Sequence, residues 1–153
     1  MSAADRIALL IATAGGAGYS PIAPGTAGSA VTALLLWLVP FSRGGLVIFL
    51  LAVVVAGTWA AHRAEGILGG KDPGAIVIDE VAGMILSVLV FPLTAPVLVA
   101  GFFLFRLFDV VKPPPAYASQ KLRGGVGVMI DDLIAGAYAL AVLGAAHWLL
   151  GWP

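Results

Sequence analysis

Cysteine is absent from these 153 residues, which excludes disulfides, thiolate metal sites and thiol nucleophiles. Charge is scarce as well. Eight Lys/Arg and eight Asp/Glu make up 10% of the chain and cancel to a formal net charge of zero, where a soluble domain carries roughly 25% charged residues. No basic tail is present, so no nucleic-acid partner is expected through phosphate neutralisation. Only two histidines occur: His62 sits where an apolar segment ends and complements its dipole, and His147 lies between Ala146 and Trp148 in an interfacial setting. Neither reads as catalytic, so phosphoenzyme routes through His or Cys lose ground. A cleavable signal peptide is not expected either, because Asp5 and Arg6 precede only the short apolar run Ile7 to Ala12 before glycines begin.

What is abundant is hydrocarbon. Hydrophobic residues make up 61% of the chain and mean hydropathy is +1.06, values that predict a single integral membrane domain over 1–153. The apolar segments are Gly28 to Val39, Gly44 to Ala61, Val81 to Phe91, Ala95 to Phe108 and Leu133 to Trp152. Backbone polar groups in hydrocarbon must be satisfied within the segment, and no barrel-like alternation is present, so the expected fold is all-α, a polytopic protein of about five apolar helices. Gly44 to His62 and Leu133 to Trp152 correspond to about 28 and 30 Å of helix, enough to span. Asp79 to Phe91 and Ala95 to Asp109 reach only about 20 and 22 Å. These two are expected to form a short hairpin broken at Pro92 to Pro96 (PLTAP), since proline cannot continue a helix and biases the residue before it away from helical dihedrals.

That hairpin puts Asp79 and Glu80 on the same side as Arg106 and Asp109. The same side receives the PGTAGS stretch, the His62 to Pro73 connection and a long loop from Val110 to Asp132. It also collects Arg63, Lys71, Arg106, Lys112, Lys121 and Arg123 against Arg43 alone opposite, so the positive-inside rule makes it cytoplasmic. Every acid from Glu65 onward falls there.

Asp79, Glu80, Asp109, Asp131 and Asp132 gathered at a low-dielectric boundary repel one another unless they are protonated, paired or bound to a cation. A hard divalent cation such as Mg²⁺ accepts oxygen ligands and commonly bridges carboxylates to a phosphate. Helix capping and pairing with Arg106, Lys112 or Arg123 is the plainer explanation for any single acid; for the set, a metal is favoured. Ile78-Asp79-Glu80-Val81-Ala82-Gly83 is echoed by Ile130-Asp131-Asp132-Leu133-Ile134-Ala135-Gly136. Each is an acidic pair expected at a helix start, with a glycine that permits close helix approach.

Arg106, Asp109 and Lys112 are spaced i, i+3, i+6, on one stripe if the helix continues. A guanidinium there serves either as the partner of Asp109 or as a phosphate clamp. Gly15 to Ser29 is a Gly/Pro-rich loop in which Thr26 and Ser29 offer hydroxyls and Gly25 and Gly28 allow close backbone approach; free N–H groups at the following helix start favour anions. Lys112 to Pro115 is expected to begin extended. Lys121 and Arg123 then precede a flexible glycine stretch, Gly124 to Gly127, that returns to Asp131 and Asp132.

Four stretches together resemble the phosphatidylglycerophosphatase A family of bacterial membrane lipid phosphatases: SPIAPGTAGS (Ser20 to Ser29), IVIDEVAG (Ile76 to Gly83), FRLFDVVKPPP (Phe105 to Pro115) and GGVGVMIDDLIAG (Gly124 to Gly136). They occur in the family's order and cover the chain from about Leu9 to Gly136. A departure is Pro114-Pro115-Ala116, where the family usually has an aromatic followed by Pro-Ile. The resemblance implies a phosphoric monoester hydrolase of the bacterial inner membrane that hydrolyses phosphatidylglycerophosphate to phosphatidylglycerol and phosphate with Mg²⁺. For that reaction the expected metal ligands are drawn from Asp79, Glu80, Asp109, Asp131 and Asp132, with Asp79, Asp131 and Asp132 as the core and Asp109 or Glu80 as additions, and Arg106 is expected to join them in catalysis. Thr26, Ser29, Arg106, Lys112, Lys121 and Arg123 are the candidates for holding the phospholipid. The alternatives are a Mg²⁺-dependent lipid headgroup transferase, whose Asp-Gly…Ala-Arg spacing is absent, and a small cation transporter, which would place acids at the bilayer midplane rather than at helix ends. The sequence leaves the oligomeric state open.

Overall fold

The computed structural model describes residues 1–119, 121–122 and 124–152. Among these the chain is all-α, with no strand. Seven α-helices follow in order: α1 (Ala3–Ala12), α2 (Pro24–Leu38), α3 (Arg43–Leu68), α4 (Ile78–Val88), α5 (Ala95–Val111), α6 (Ala116–Ser119) and α7 (Gly124–Leu150), with a 3₁₀ turn at Ala17–Tyr19 before α2.

Two of these helices, α3 and α7, are long and apolar enough to cross a membrane. They correspond to the two segments expected to be long enough to span; the wider expectation of about five apolar membrane helices is not confirmed, and α4 shows why. Its apolar run is only 11 residues of helix, and nine of them are buried because α2, α3, α5 and α7 surround it. The sequence there is apolar because protein covers it, which periodicity alone does not separate from burial in lipid. The Pro-broken hairpin is present: α4 ends at Val88 and α5 begins at Ala95, with Pro96 in its first turn, where the missing N–H costs nothing.

The ends of the long helices differ from expectation. α3 runs on past His62 to Leu68. α7 starts at Gly124 rather than near Leu133, so Asp131 and Asp132 lie two turns inside the helix and do not cap it, whereas Asp79 and Glu80 are in the first turn of α4 as expected. The glycines expected to be a flexible loop are helical because α7 packs tightly there: a Cβ on Gly125 would come 1.8 Å from the Thr58 carbonyl oxygen of α3. Only a residue without a side chain fits that approach, and packing outweighs the poor helix propensity of glycine.

Two local features also depart from expectation. The prolines after Lys112 form a turn, with a cis bond between Pro114 and Pro115, and lead into α6 instead of extending; the Tyr138 hydroxyl donates to the Pro114 carbonyl and ties this turn to α7. The N-terminal run forms a helix, α1, started by a capping box in which the Asp5 amide donates to Ser2 Oγ and the Ser2 amide to Asp5 Oδ2. Asp5 also pairs with Arg63 of α3 at 2.8 Å, and Ala8 and Ala12 pack against that helix, fully buried.

Candidate active site

The site follows from one helix crossing. Gly83 of α4 and Gly136 of α7 meet so closely that a Cβ on Gly136 would come 2.5 Å from the Gly83 carbonyl oxygen, and a Cβ on Gly83 would come 2.3 Å from the Phe105 ring and 2.7 Å from the Asp132 carbonyl. One turn before each glycine, four residues back, stands an aspartate: Asp79 on α4 and Asp132 on α7. Side chains four apart share a helix face, so a backbone contact at the glycines brings the two aspartates together above it. The glycines thus match Asp79 with Asp132, the second acid of its motif, while Asp131 turns to Lys112.

Asp79, Glu80 and Asp132 each present a carboxylate oxygen within 4.8 Å of the other two. Asp79 and Asp132 are 6% and 2% exposed, and Asp79 Oδ1, Glu80 Oε2 and Asp132 Oδ2 are buried without any hydrogen-bond partner. Buried carboxylate oxygens with neither donor nor counter-ion are costly. Three acids that combine such oxygens with carboxylates this close together form a donor set suited to a hard, oxygen-seeking cation.

The other two acids are paired. Arg106 Nη1 lies 2.7 Å from Asp109 Oδ2 on the next turn of α5 and 3.9 Å from Glu80 Oε1. Lys112 takes a left-handed backbone conformation at the end of α5 (φ 47°), and its ammonium reaches Asp131 Oδ2 at 2.6 Å and Asp109 Oδ1 at 3.6 Å. Burial alone would lower the Lys112 pKa, but the hydrogen bond and charge of Asp131 outweigh it and the group is held above its ordinary value.

These groups line a pocket of about 380 Å³. Its rim includes Ala23, Pro24 and Gly25, at the start of α2, where the first-turn amides of Gly25 and Thr26 have no helical acceptor. Gly25 is needed for space: a Cβ there would come 2.2 Å from Glu80 Oε1 and 3.2 Å from Arg106 Nη1. The close backbone approach expected of Gly25 and Gly28 is present, Gly28 lying against Val77.

Of the sequence candidates, Asp79, Glu80, Arg106, Asp109, Lys112, Asp131 and Asp132 line this one pocket. Thr26 and Ser29 do not. Ser29 is buried in α2 with its hydroxyl donating to the Gly25 carbonyl. Lys121 is exposed outside the lining, and Arg123 lies outside the described residues. One titratable lining residue was missed, Asp72, which borders both this pocket and an adjoining one of about 270 Å³. Its carboxyl is pushed above the ordinary range by the protein mass around it and then by the charge of Asp131. The Asp72-Pro73-Gly74 turn just ahead of Ile76 was the available signal.

A family model for phosphatidylglycerophosphatase A matches residues 10–147. A Bacteroides thetaiotaomicron protein provisionally named a phosphatidylinositol-3-phosphatase is 40% identical, over 94% of this chain and 95% of its own length. Proteins named phosphatidylglycerophosphatase A from Escherichia coli and Haemophilus influenzae are 35% and 36% identical, over 93% and 92% of this chain and 86% and 90% of theirs. No solved structure matches significantly. With its motifs in order and its pocket built from them, the chain belongs to the phosphatidylglycerophosphatase A family and is by that membership a phosphatase.

Proposed function

We propose that the chain hydrolyses the phosphomonoester of phosphatidylglycerophosphate, releasing phosphatidylglycerol and phosphate, with Mg²⁺ held by Asp79, Glu80 and Asp132. The observation that carries this reading is the trio of buried, unpartnered carboxylate oxygens beside an arginine already oriented by an aspartate. Bound there, Mg²⁺ supplies positive charge to the phosphoryl oxygens. Arg106, ion-paired to Asp109 through Nη1 and lining the pocket, binds phosphoryl oxygens and stabilises the charge that grows on them. Lys112, steadied by Asp131, and the free amides at the start of α2 offer further anion contacts. A water deprotonated by one of the pocket carboxylates attacks phosphorus in line, the P–O bond to glycerol breaks, and the glycerol oxygen takes a proton to become the hydroxyl of phosphatidylglycerol. Attack by an aspartate itself is the competing route. The stereochemistry at a chiral thiophosphoryl substrate separates them: inversion supports a single displacement by water, and retention supports two displacements through the acyl phosphate.

The setting proposed is the bacterial inner membrane, one integral domain over 1–153 with the pocket at the cytoplasmic face. Exposed apolar side chains on several helices support it, among them Trp37, Ile48, Val55, Phe103 and Trp148, together with the two span-length helices. Such a face suits a substrate whose phosphate sits at the membrane surface. Family membership speaks against the transporter and transferase alternatives.

Phosphate release from the purified protein in detergent tests the reading. Phosphatidylglycerophosphate is expected to be turned over faster than phosphatidylinositol 3-phosphate or phosphatidic acid, with Mg²⁺ required and chelator abolishing release. Faster turnover of the inositol lipid would reassign the substrate, and full activity in chelator would remove the metal.

A further inference from the structure

A separate hollow of about 430 Å³ lies along the seam between α2 and α5. Its lining is aliphatic and aromatic. On α2 the lining residues Ala30, Ala33, Leu34 and Trp37 follow the i, i+3, i+4, i+7 spacing of one helix face, and Leu98 and Phe102 oppose them from α5. Alanines leave the space. The hollow opens outward, away from the bundle interior, since Leu34 is 52% and Phe103 66% exposed.

The seam begins at the polar pocket. Gly25 in the first turn of α2 and Arg106 near the end of α5 touch there, and both line the pocket. The two helices are antiparallel, so α2 read forward and α5 read backward both lead away from that contact along the hollow. Measured along α2, Ala30 is about 7 Å and Trp37 about 18 Å away; along α5, Phe102 is about 6 Å and Ala95 about 16 Å away. A lipid whose phosphate lies against Arg106 thus has an apolar channel starting one turn from its headgroup and following the helix axes. A linear hydrocarbon chain tethered to that headgroup is the occupant these features fit. A partner helix would have no reason to begin at the phosphate pocket.

We propose that the α2–α5 groove holds an acyl chain of the phosphomonoester lipid whose headgroup enters the polar pocket, so that chain and headgroup are recognised together. This rests on the lipid-phosphatase reading above. The first test is photolabelling of the full chain in phosphatidylcholine nanodiscs, using a non-hydrolysable phosphonate of phosphatidylglycerophosphate with a diazirine in one acyl chain. Crosslinks are expected in residues 30–37 and 95–103, and excess deacylated headgroup should suppress them. Phosphatidylcholine with the same diazirine should label these stretches weakly and without competition. Equal labelling by both lipids, or labelling that the headgroup does not displace, overturns the proposal in favour of bulk lipid.

The second test fills the groove with Ala30→Phe and, separately, Ala33→Phe. For variants that keep the wild-type elution volume and helical circular dichroism, KM for the long-chain lipid is expected to rise about tenfold, the worth of a few buried methylenes. Release from the deacylated headgroup should be unchanged. Equal loss on both substrates, or no loss on either, contradicts the groove assignment. If the wild-type protein releases phosphate from neither substrate, the phosphatase reading fails, while the crosslinking pattern still decides the groove.

Discussion

The two sides of the polar pocket treat the same residue type in opposite ways. On the α5 side, Asp109 faces Arg106 and Lys112, and Asp131 of α7 meets the same lysine. On the α4–α7 side, Asp79, Glu80 and Asp132 leave three oxygens buried and unpartnered. Asp131 and Asp132 are adjacent in sequence, yet the helix turns one toward a lysine and the other toward two carboxylates. Paired acids orient cations, and the unpaired ones are those proposed to hold Mg²⁺. The difference lies in the neighbours, since all five are carboxylates of ordinary intrinsic strength.

The largest effect is expected where the acids are unpaired. Asp79→Asn and Asp132→Asn should each lower phosphate release on the order of a thousandfold, as loss of a group that stabilises transition-state charge does. Because each replaces a buried carboxyl that carries an unpartnered oxygen, the thermal midpoint in detergent with chelator should hold or rise. Wild-type rates in both variants would break the comparison. Next comes Arg106→Lys, which keeps the charge but loses the fork; about a hundredfold loss in kcat/KM is expected, and near-normal kinetics would reduce Arg106 to a structural partner of Asp109.

Gly83→Ala sharpens the geometric half of the contrast. Its new Cβ meets the Phe105 ring and the Asp132 backbone, so a destabilisation of about 1–3 kcal/mol is expected, with activity falling as Asp79 and Asp132 separate. An unchanged thermal midpoint would mean that the helix crossing does not set the site.

On the paired side, Lys112→Ala should cost about 2 kcal/mol by leaving Asp131 without its hydrogen bond and lower activity about tenfold. Adding Asp131→Asn should recover part of the stability; a strictly additive double variant would show that the pair does not couple.

The smallest effect is expected far from the pocket. Asp5→Asn should leave phosphate release unchanged and expose α1 to protease. The hydrogen bond from the Ser2 backbone, then Arg63 and the Ser2 hydroxyl, lower the Asp5 carboxyl to about 2. A lowered folded pKa means this contribution is fully present above the unfolded value of 3.8 and is lost as pH falls through about 2, so α1 protection should persist at pH 4 and fade only toward pH 2.

Most of the site was legible because its residues are few and stand out against hydrocarbon: a carboxylate or guanidinium in an apolar chain needs a reason. Asp72 was harder to see, since it sits in a polar connection where an acid is ordinary. Ser29 misled in the other direction, because a hydroxyl beside glycines suggests an anion cradle until the helix carries it inward to bond the Gly25 carbonyl. The glycines from Gly124 to Gly127 suggested a loop because their propensity is poor, and only the nearness of α3 makes a helix of them.

By itself the sequence determined the helical class, the Pro-broken hairpin and the identity of the groups available for chemistry, because these depend on backbone satisfaction, proline geometry and side-chain pKa, all local properties. Only the tertiary structure decided which carboxylates are paired and which converge, that the short central helix is covered by protein, and where the apolar groove begins. Those outcomes depend on how closely two backbones approach at Gly83 and Gly136, a distance that no single segment contains.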